Sequence, residues 1–442
     1  MSNVQKYTFA TATAVIIANM VGTGVFTSLG FQLLEFQSGF LLLLLWFVGG
    51  VTAVSGAMSY AELGAALPRS GGEYNFLTRI YHPAAGFISG WVSATIGFAA
   101  PSALAAITFG AYVTATMGEE TPDWWTKAFA CGLIVVLAIV HSTNRKYSGQ
   151  FQLTFTLVKI GVILAFCAAA VLLGTAGSDV RFLPNATDFE PLFSGQFAVA
   201  LIYVSYAYTG WNAAAYLSSE LDSPQKTLPR VFFAGTFVVM TLYVLLNFSF
   251  LSAAPTSALE GKVEIGYIAA SHIFGEGVAA FTSVVLALLL ISTVSAMTIA
   301  GPRVLQVIGE DFSLFKPLSR TNKAGVPATA IMLQSIVAII FIITSSFQSI
   351  LIFAGFVVAL NSFLTVLGLF VFRLREPSHP RPYRVTFFPV TPLVYLTLSG
   401  WMLLYVVLDR PREAALGAGL IVIGLIVYAI SRRMNVEATT AD

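Results

Sequence analysis

Ile17-Ala18-Asn19-Met20-Val21-Gly22-Thr23-Gly24-Val25-Phe26 lies in the middle of the first long apolar segment of the chain. From Phe9 to Leu34 the residues are apolar or small enough to cross a bilayer, yet two glycines flank a threonine near the centre, where a helix opens most easily. A helix broken there turns free backbone N–H groups into the membrane interior, and lipid tolerates such groups only where they line a cavity. Gly22-Thr23-Gly24 is therefore expected to face something that accepts hydrogen bonds; the other reading is close helix packing, which small residues also permit.

Around that stretch the chain of 442 residues is 57% hydrophobic and 10% charged, with a mean hydropathy of +0.82. That is far more apolar than a soluble chain of this length, and it predicts an all-α integral membrane protein. The first apolar segment is too long for a signal peptide and has no small-residue cleavage site, so it is expected to be a retained span. Cys131 and Cys167 both fall inside apolar segments, which gives neither a disulfide framework nor a metal site. Apolar runs of about 18 residues or more predict twelve spans, at 8–33, 39–66, 84–116, 126–142, 148–174, 192–218, 230–253, 277–301, 327–344, 348–372, 388–408 and 414–431. Of the 23 lysines and arginines, 17 fall on the side of Lys6 and 5 on the other, which places both termini in the cytoplasm. The remaining one, Lys159, sits inside the fifth span, 13 residues beyond Lys146. That is roughly 20 Å of helix, and a lysine at such depth costs about 2.5–3.5 kcal/mol and needs a partner.

The sixth span repeats the theme of the first: Ser205-Tyr206-Ala207-Tyr208-Thr209-Gly210-Trp211-Asn212 puts Gly, Thr and Asn in mid-span. Spans one and six enter the membrane from opposite sides, and interrupted segments at corresponding places in two halves mark a transporter's midplane site. The chain is thus expected to be a single domain, 1–442, with repeats at 8–174 and 192–372 and an addition at 388–431. The N-terminus of a half-helix suits a carboxylate and the carbonyls of a C-terminus suit an ammonium, the two ends of an α-amino acid. Gly22, Thr23 and Gly24, with Val21 beside them, would hold the carboxylate; Tyr206, Ala207 and Tyr208 would hold the amine, with Thr209 and Gly210 next in the same stretch. Glu62 is the one acid near a span interior, which favours neutral substrates, while the many Tyr and Phe keep cationic amino acids or polyamines open. His82, His141, His272 and His379 lie at or near span ends, and no nucleophile–base pair or phosphate-binding loop is present, so no catalysis, cofactor, metal or nucleic-acid partner is expected. A channel and a transporter-like sensor are the alternatives; channels use rings from symmetric subunits, and two breaks in a repeat fit alternating access better.

Tyr60-Ala61-Glu62-Leu63, followed by Pro68-Arg69-Ser70-Gly71-Gly72-Glu73-Tyr74, resembles the signature of the amino acid-polyamine-organocation permeases, in particular bacterial relatives of the L-type amino acid transporters. Gly22-Thr23-Gly24-Val25-Phe26, Ser218-Ser219-Glu220-Leu221-Asp222-Ser223-Pro224, Gly301-Pro302-Arg303 and Arg381-Pro382-Tyr383-Arg384-Val385 are similar to that family in the same order. The resemblance implies a LeuT-like 5+5 inverted repeat with discontinuous helices one and six and two additional C-terminal helices. It implies sodium-independent secondary transport of amino acids, by exchange or with a proton, in a plasma membrane of bacterial type. It makes Tyr206 a gate over the substrate, has Trp211 and Asn212 border the site, and puts Glu62 near the cytoplasmic mouth. Lys159 falls where sodium-coupled relatives hold an ion, with its ammonium reaching carbonyls near Gly22 and the hydroxyl of Ser292, Thr293 or Ser295. The loop from Gly118 to Trp125 has no cysteine, unlike eukaryotic light chains of the family, so no disulfide-linked heavy subunit is expected.

Overall fold

Three helix starts are set by serine side chains: Ser38, Ser194 and Ser346 accept the backbone N–H groups of Leu41, Phe197 and Ser349. Each satisfies a donor that the first turn of a helix leaves without a partner. The computed structural model describes residues 8–441 apart from 69–71, 119–120, 144–147, 174–178, 213–214, 216–220, 222 and 324. Lys6, Arg69, Ser70, Gly71, Arg145, Lys146, Ser218, Ser219, Glu220 and Asp222, all used in the sequence reading, lie outside the described residues.

The main elements are α1 (Phe9–Met20), α2 (Gly24–Gln32), α3 (Gly39–Ala66), α4 (Glu73–Ile80), α5 (Pro83–Val92), α6 (Ala99–Ala115), α7 (Trp124–Thr143) and α8 (Ser148–Leu173). They continue with α9 (Gly195–Ala207), α10 (Pro224–Ala253), α11 (Ile265–Phe274), α12 (Glu276–Asp311), α13 (Ala328–Thr344), α14 (Phe347–Arg375), α15 (Val390–Asp409) and α16 (Pro411–Ala441). Among the described residues, 10 helical stretches are long and apolar enough to cross a membrane. The chain is an integral membrane protein. Two of the expected segments fall short of that length: α9 ends after 13 residues where the chain turns at Tyr208, and α13 has 17. Between α5 and α6 the helix widens into a π turn at Ser93–Gly97, which leaves Pro101 in the first turn of α6, where its missing N–H breaks no ladder. The long helices lie side by side, α3 along α10 and α6 along α12.

Glu62, near the end of α3, is fully buried and takes a bidentate pair from Arg373 of α14, at 2.8 and 2.6 Å. The Val385 N–H donates to the same carboxylate at 2.6 Å, and Arg381 stands 3.7 Å away. The Arg373 guanidinium is covered by the Phe388 ring, 3.6 Å from its centroid. Glu62 thus lashes the ends of α3 and α14 to the segment before α15, and its partners are these cations rather than the Gly22–Gly24 stretch. Removing one member leaves the others buried without compensation, so Glu62→Ala is expected to destabilise the fold by about 3 kcal/mol. The melting midpoint in detergent checks this; slowed transport at an unchanged midpoint would make Glu62 a gate and not a clamp.

Candidate functional site

The first break follows from local hydrogen bonding. Val21 N–H still reaches Ile17 O, at 2.8 Å, but Gly22 N–H folds back to Met20 O at 2.7 Å, and the ladder resumes only with Phe26 N–H on Thr23 O at 3.0 Å. Gly24 and Val25 occupy the first turn of α2, where N–H groups have no intrahelical acceptor. The second break starts where α9 ends: Thr209 N–H and its hydroxyl both fold back to Tyr206 O, at 3.0 and 2.7 Å. Gly210 then takes φ +106°, a region that L side chains rarely enter.

The two breaks seat against each other through main chain. A Cβ on Gly24 would lie 2.6 Å from the Ala207 Cα, and one on Gly210 would lie 2.7 Å from the Asn19 carbonyl oxygen. The structure therefore brings Gly22–Gly24 together with Ala207–Gly210. Close packing and open backbone groups coexist here, because glycine allows the contact and the opened ladder leaves N–H and C=O groups at the same place.

Two side chains from other helices hold this junction. Lys159 of α8, only 3% exposed, donates to Val21 O at 3.1 Å and to the Thr293 hydroxyl of α12 at 2.7 Å. Of the three hydroxyls considered for it, Thr293 is the partner; Ser292 bonds back to Leu289 O, and Ser295 meets His141 Nε2 of α7 at 2.8 Å. Successive side chains on a helix point about 100° apart, so one of the three faces α8 while its neighbours turn elsewhere. Tyr243 of α10 is the second. Its hydroxyl lies within hydrogen-bonding reach of both Met20 O and Ala207 O, the last carbonyls of α1 and α9. Sequence reading missed Tyr243, since a lone tyrosine in an apolar span carries no local signal. Tyr243→Phe is expected to reduce transport about tenfold with little loss of packing, because the ring stays and one hydrogen bond goes; uptake measured beside the melting midpoint checks it.

On the α3 side of the second break, Ser205, Tyr208, Thr209, Gly210, Trp211 and Asn212 line a cavity closed by Thr52, Ser362, Tyr395 and Ser399, a lining that excludes Gly22–Gly24 and Lys159. The Tyr208 hydroxyl is turned away to Trp46 O, at 3.1 Å, so its side chain braces α9 against α3.

The sequence profile of the amino acid permease family matches residues 7–430 of this chain. The chain belongs to that family. The permease is 27% identical over 422 residues to the large neutral amino acids transporter small subunit 2 of Oryctolagus cuniculus, a match that covers 94% of this chain and 78% of that protein. It is 28% identical over 423 residues to the b(0,+)-type amino acid transporter 1 of Mus musculus, covering 94% and 85%. Its activity is amino acid transport across the membrane.

Thr23 Oγ1 and Tyr206 OH are among seven buried hydroxyls of the permease that have no hydrogen-bond partner among the described residues. A buried polar group left this way costs about 1–3 kcal/mol, a penalty that a bound polar ligand relieves. Both belong to the breaks, one to each. Of the carbonyls that are candidates for the amine, Tyr206 O already receives both the N–H and the hydroxyl of Thr209 and Ala207 O the Tyr243 hydroxyl, so an ammonium would displace a Thr209 donor at the first and use the second lone pair of the other.

Proposed function

We propose that the permease carries neutral L-amino acids by alternating access without sodium, exchanging them or moving them with a proton. The proposed architecture is twelve spans in a LeuT-like 5+5 inverted repeat, 8–174 and 192–372, with α1–α2 and α9 as the discontinuous helices one and six. Residues 388–431 stand outside the repeat, and both termini face the cytoplasm of a bacterial-type plasma membrane. The observation that carries the reading is the pair of hydrogen bonds from the Lys159 ammonium to Val21 O and Thr293 Oγ1. A fixed positive charge with three donors joins the first break to α12 and does there what a bound cation would do.

The substrate's carboxylate meets the N-terminus of α2 and the Thr23 hydroxyl, and its ammonium meets the carbonyl ends at Tyr206–Tyr208. Tyr206 closes over it, as its buried and unpartnered hydroxyl supports. The charge-poor cavity beside Trp211 and the similarity to a large neutral amino acids transporter both favour a neutral side chain. The cysteine-free loop from Gly118 to Trp125 supports a carrier that has no disulfide-linked heavy subunit.

Uptake of a labelled amino-acid panel into proteoliposomes tests this. Neutral amino acids should accumulate equally in sodium and in choline at constant ionic strength and pH, and internal substrate or an inward proton gradient should raise the rate. A several-fold stimulation by sodium overturns the reading.

A further inference from the structure

The short helix α4 touches more of the molecule's working parts than its 8 residues suggest. It follows Gly72, at φ +52°, and begins with Glu73, whose side chain is 1% exposed. The Oε1 atom of Glu73 accepts Asn212 Nδ2 at 2.6 Å and the Tyr60 hydroxyl at 3.1 Å. Tyr60 in turn sets its ring edge-on to Trp211, with centroids 4.6 Å apart. Two residues of the second break are thus fixed by one carboxylate, Asn212 directly and Trp211 through Tyr60.

The rest of α4 reaches the far ends of two long helices. The Tyr74 hydroxyl donates to Asp311 at the end of α12 at 2.6 Å, and Arg79 pairs with Glu376, just past α14, at 2.7 Å. Arg375 of α14 donates to Ile80 O at 2.8 Å. A displacement of those ends must carry α4 with it, and α4 holds the break.

A carboxylate only accepts hydrogen bonds, so Glu73 turns the Asn212 amide with its NH2 toward α4 and its carbonyl oxygen away. We propose that Glu73 is the positioning residue of the second break: it sets the orientation of Asn212, and through α4 it makes the shape of the break follow the ends of α12 and α14. The inference rests on the reading of this break as part of a neutral amino-acid site.

The test is a four-protein cycle on the purified full-length permease: wild type, Glu73→Gln, Asn212→Asp and the double variant. In Glu73→Gln the amide oxygen can take the place of Oε1 and keep accepting from both Tyr60 and Asn212, so the bond persists without the charge, whereas in Asn212→Asp the new carboxylate turns an acceptor on Glu73. In the double variant the amide on α4 donates to the carboxylate at the break, and the bond is restored with reversed polarity. Tritiated L-leucine binding should weaken about tenfold in Asn212→Asp, less in Glu73→Gln, and recover in the double variant to within about threefold of wild type. A residue that only braces the fold lowers the melting midpoint and leaves the Kd of the folded protein unchanged, and that result overturns the proposal. So does a double variant no better than the weaker single one. If wild type itself binds no leucine or other neutral amino acid, the site reading fails; the four ligand-free midpoints then decide the Glu73–Asn212 coupling separately, non-additive recovery supporting it and additivity overturning it.

Discussion

Lys159→Ala is expected to lower transport by about a hundredfold or more while leaving substrate binding within about tenfold of wild type. Truncation removes the donors now given to Val21 O and to the Thr293 hydroxyl. Two buried polar atoms are left facing a void, at about 1–3 kcal/mol each. The larger loss is mechanical, because these bonds join the first break to α12, and a half-helix that moves must keep a defined seat in each state of the cycle. Arginine is no substitute: its planar fork is longer and fixed in geometry, whereas the ammonium reaches two acceptors on different helices as a compact charge. Counterflow of labelled leucine in proteoliposomes, with binding measured on the same preparations, checks the expectation. A Lys159→Ala variant with wild-type turnover would remove Lys159 from the mechanism.

Gly24→Val should abolish amino-acid binding without preventing membrane insertion. The new Cβ would lie 2.6 Å from the Ala207 Cα and 2.7 Å from its Cβ, and neither is the far end of a flexible side chain. One break must therefore retreat from the other, and the N-terminus of α2 moves away from the carbonyl end of α9. Even Gly24→Ala introduces this conflict, so it should already weaken binding substantially. Insertion depends on the hydropathy of the whole span, which one valine does not lower. Cell-surface fraction and leucine binding measured together separate the two effects; a folded, inserted Gly24→Val protein with unchanged affinity would move the site elsewhere.

The breaks were legible in the sequence because glycine and threonine in the middle of an apolar run have a local physical meaning, and helices end at Met20 and at Ala207, beside these residues. Lys159 was legible for the same reason: a charge at that depth stands out. Its choice of Thr293 over Ser292 and Ser295 was not, since α12 is apolar all round and its sequence does not say which face meets α8. Tyr243 was illegible because its role exists only when residues 223 apart in sequence, Met20 and Tyr243, are brought together. Glu62 and Glu73 both lie in the stretch that carried the resemblance, yet nothing in their spacing showed that one would meet Arg373 and the other Asn212. The count of spans was least secure at 192–218, where the feature proposed to mark the site, a helix ending at Ala207, also shortens the apolar helix by which spans are counted.

A joint built from main chain changes how freely the surrounding sequence can drift. Where Gly24 meets Ala207 and Gly210 meets Asn19, the atoms in contact are those that every residue possesses, and the substrate parts proposed to meet them are those that every amino acid possesses. On that proposal, selectivity for one side chain over another resides in separate positions of the cavity lining, such as Thr52 or Ser362, that can mutate without disturbing the joint. A lineage of such carriers can change its diet by single substitutions and inherit the engine intact.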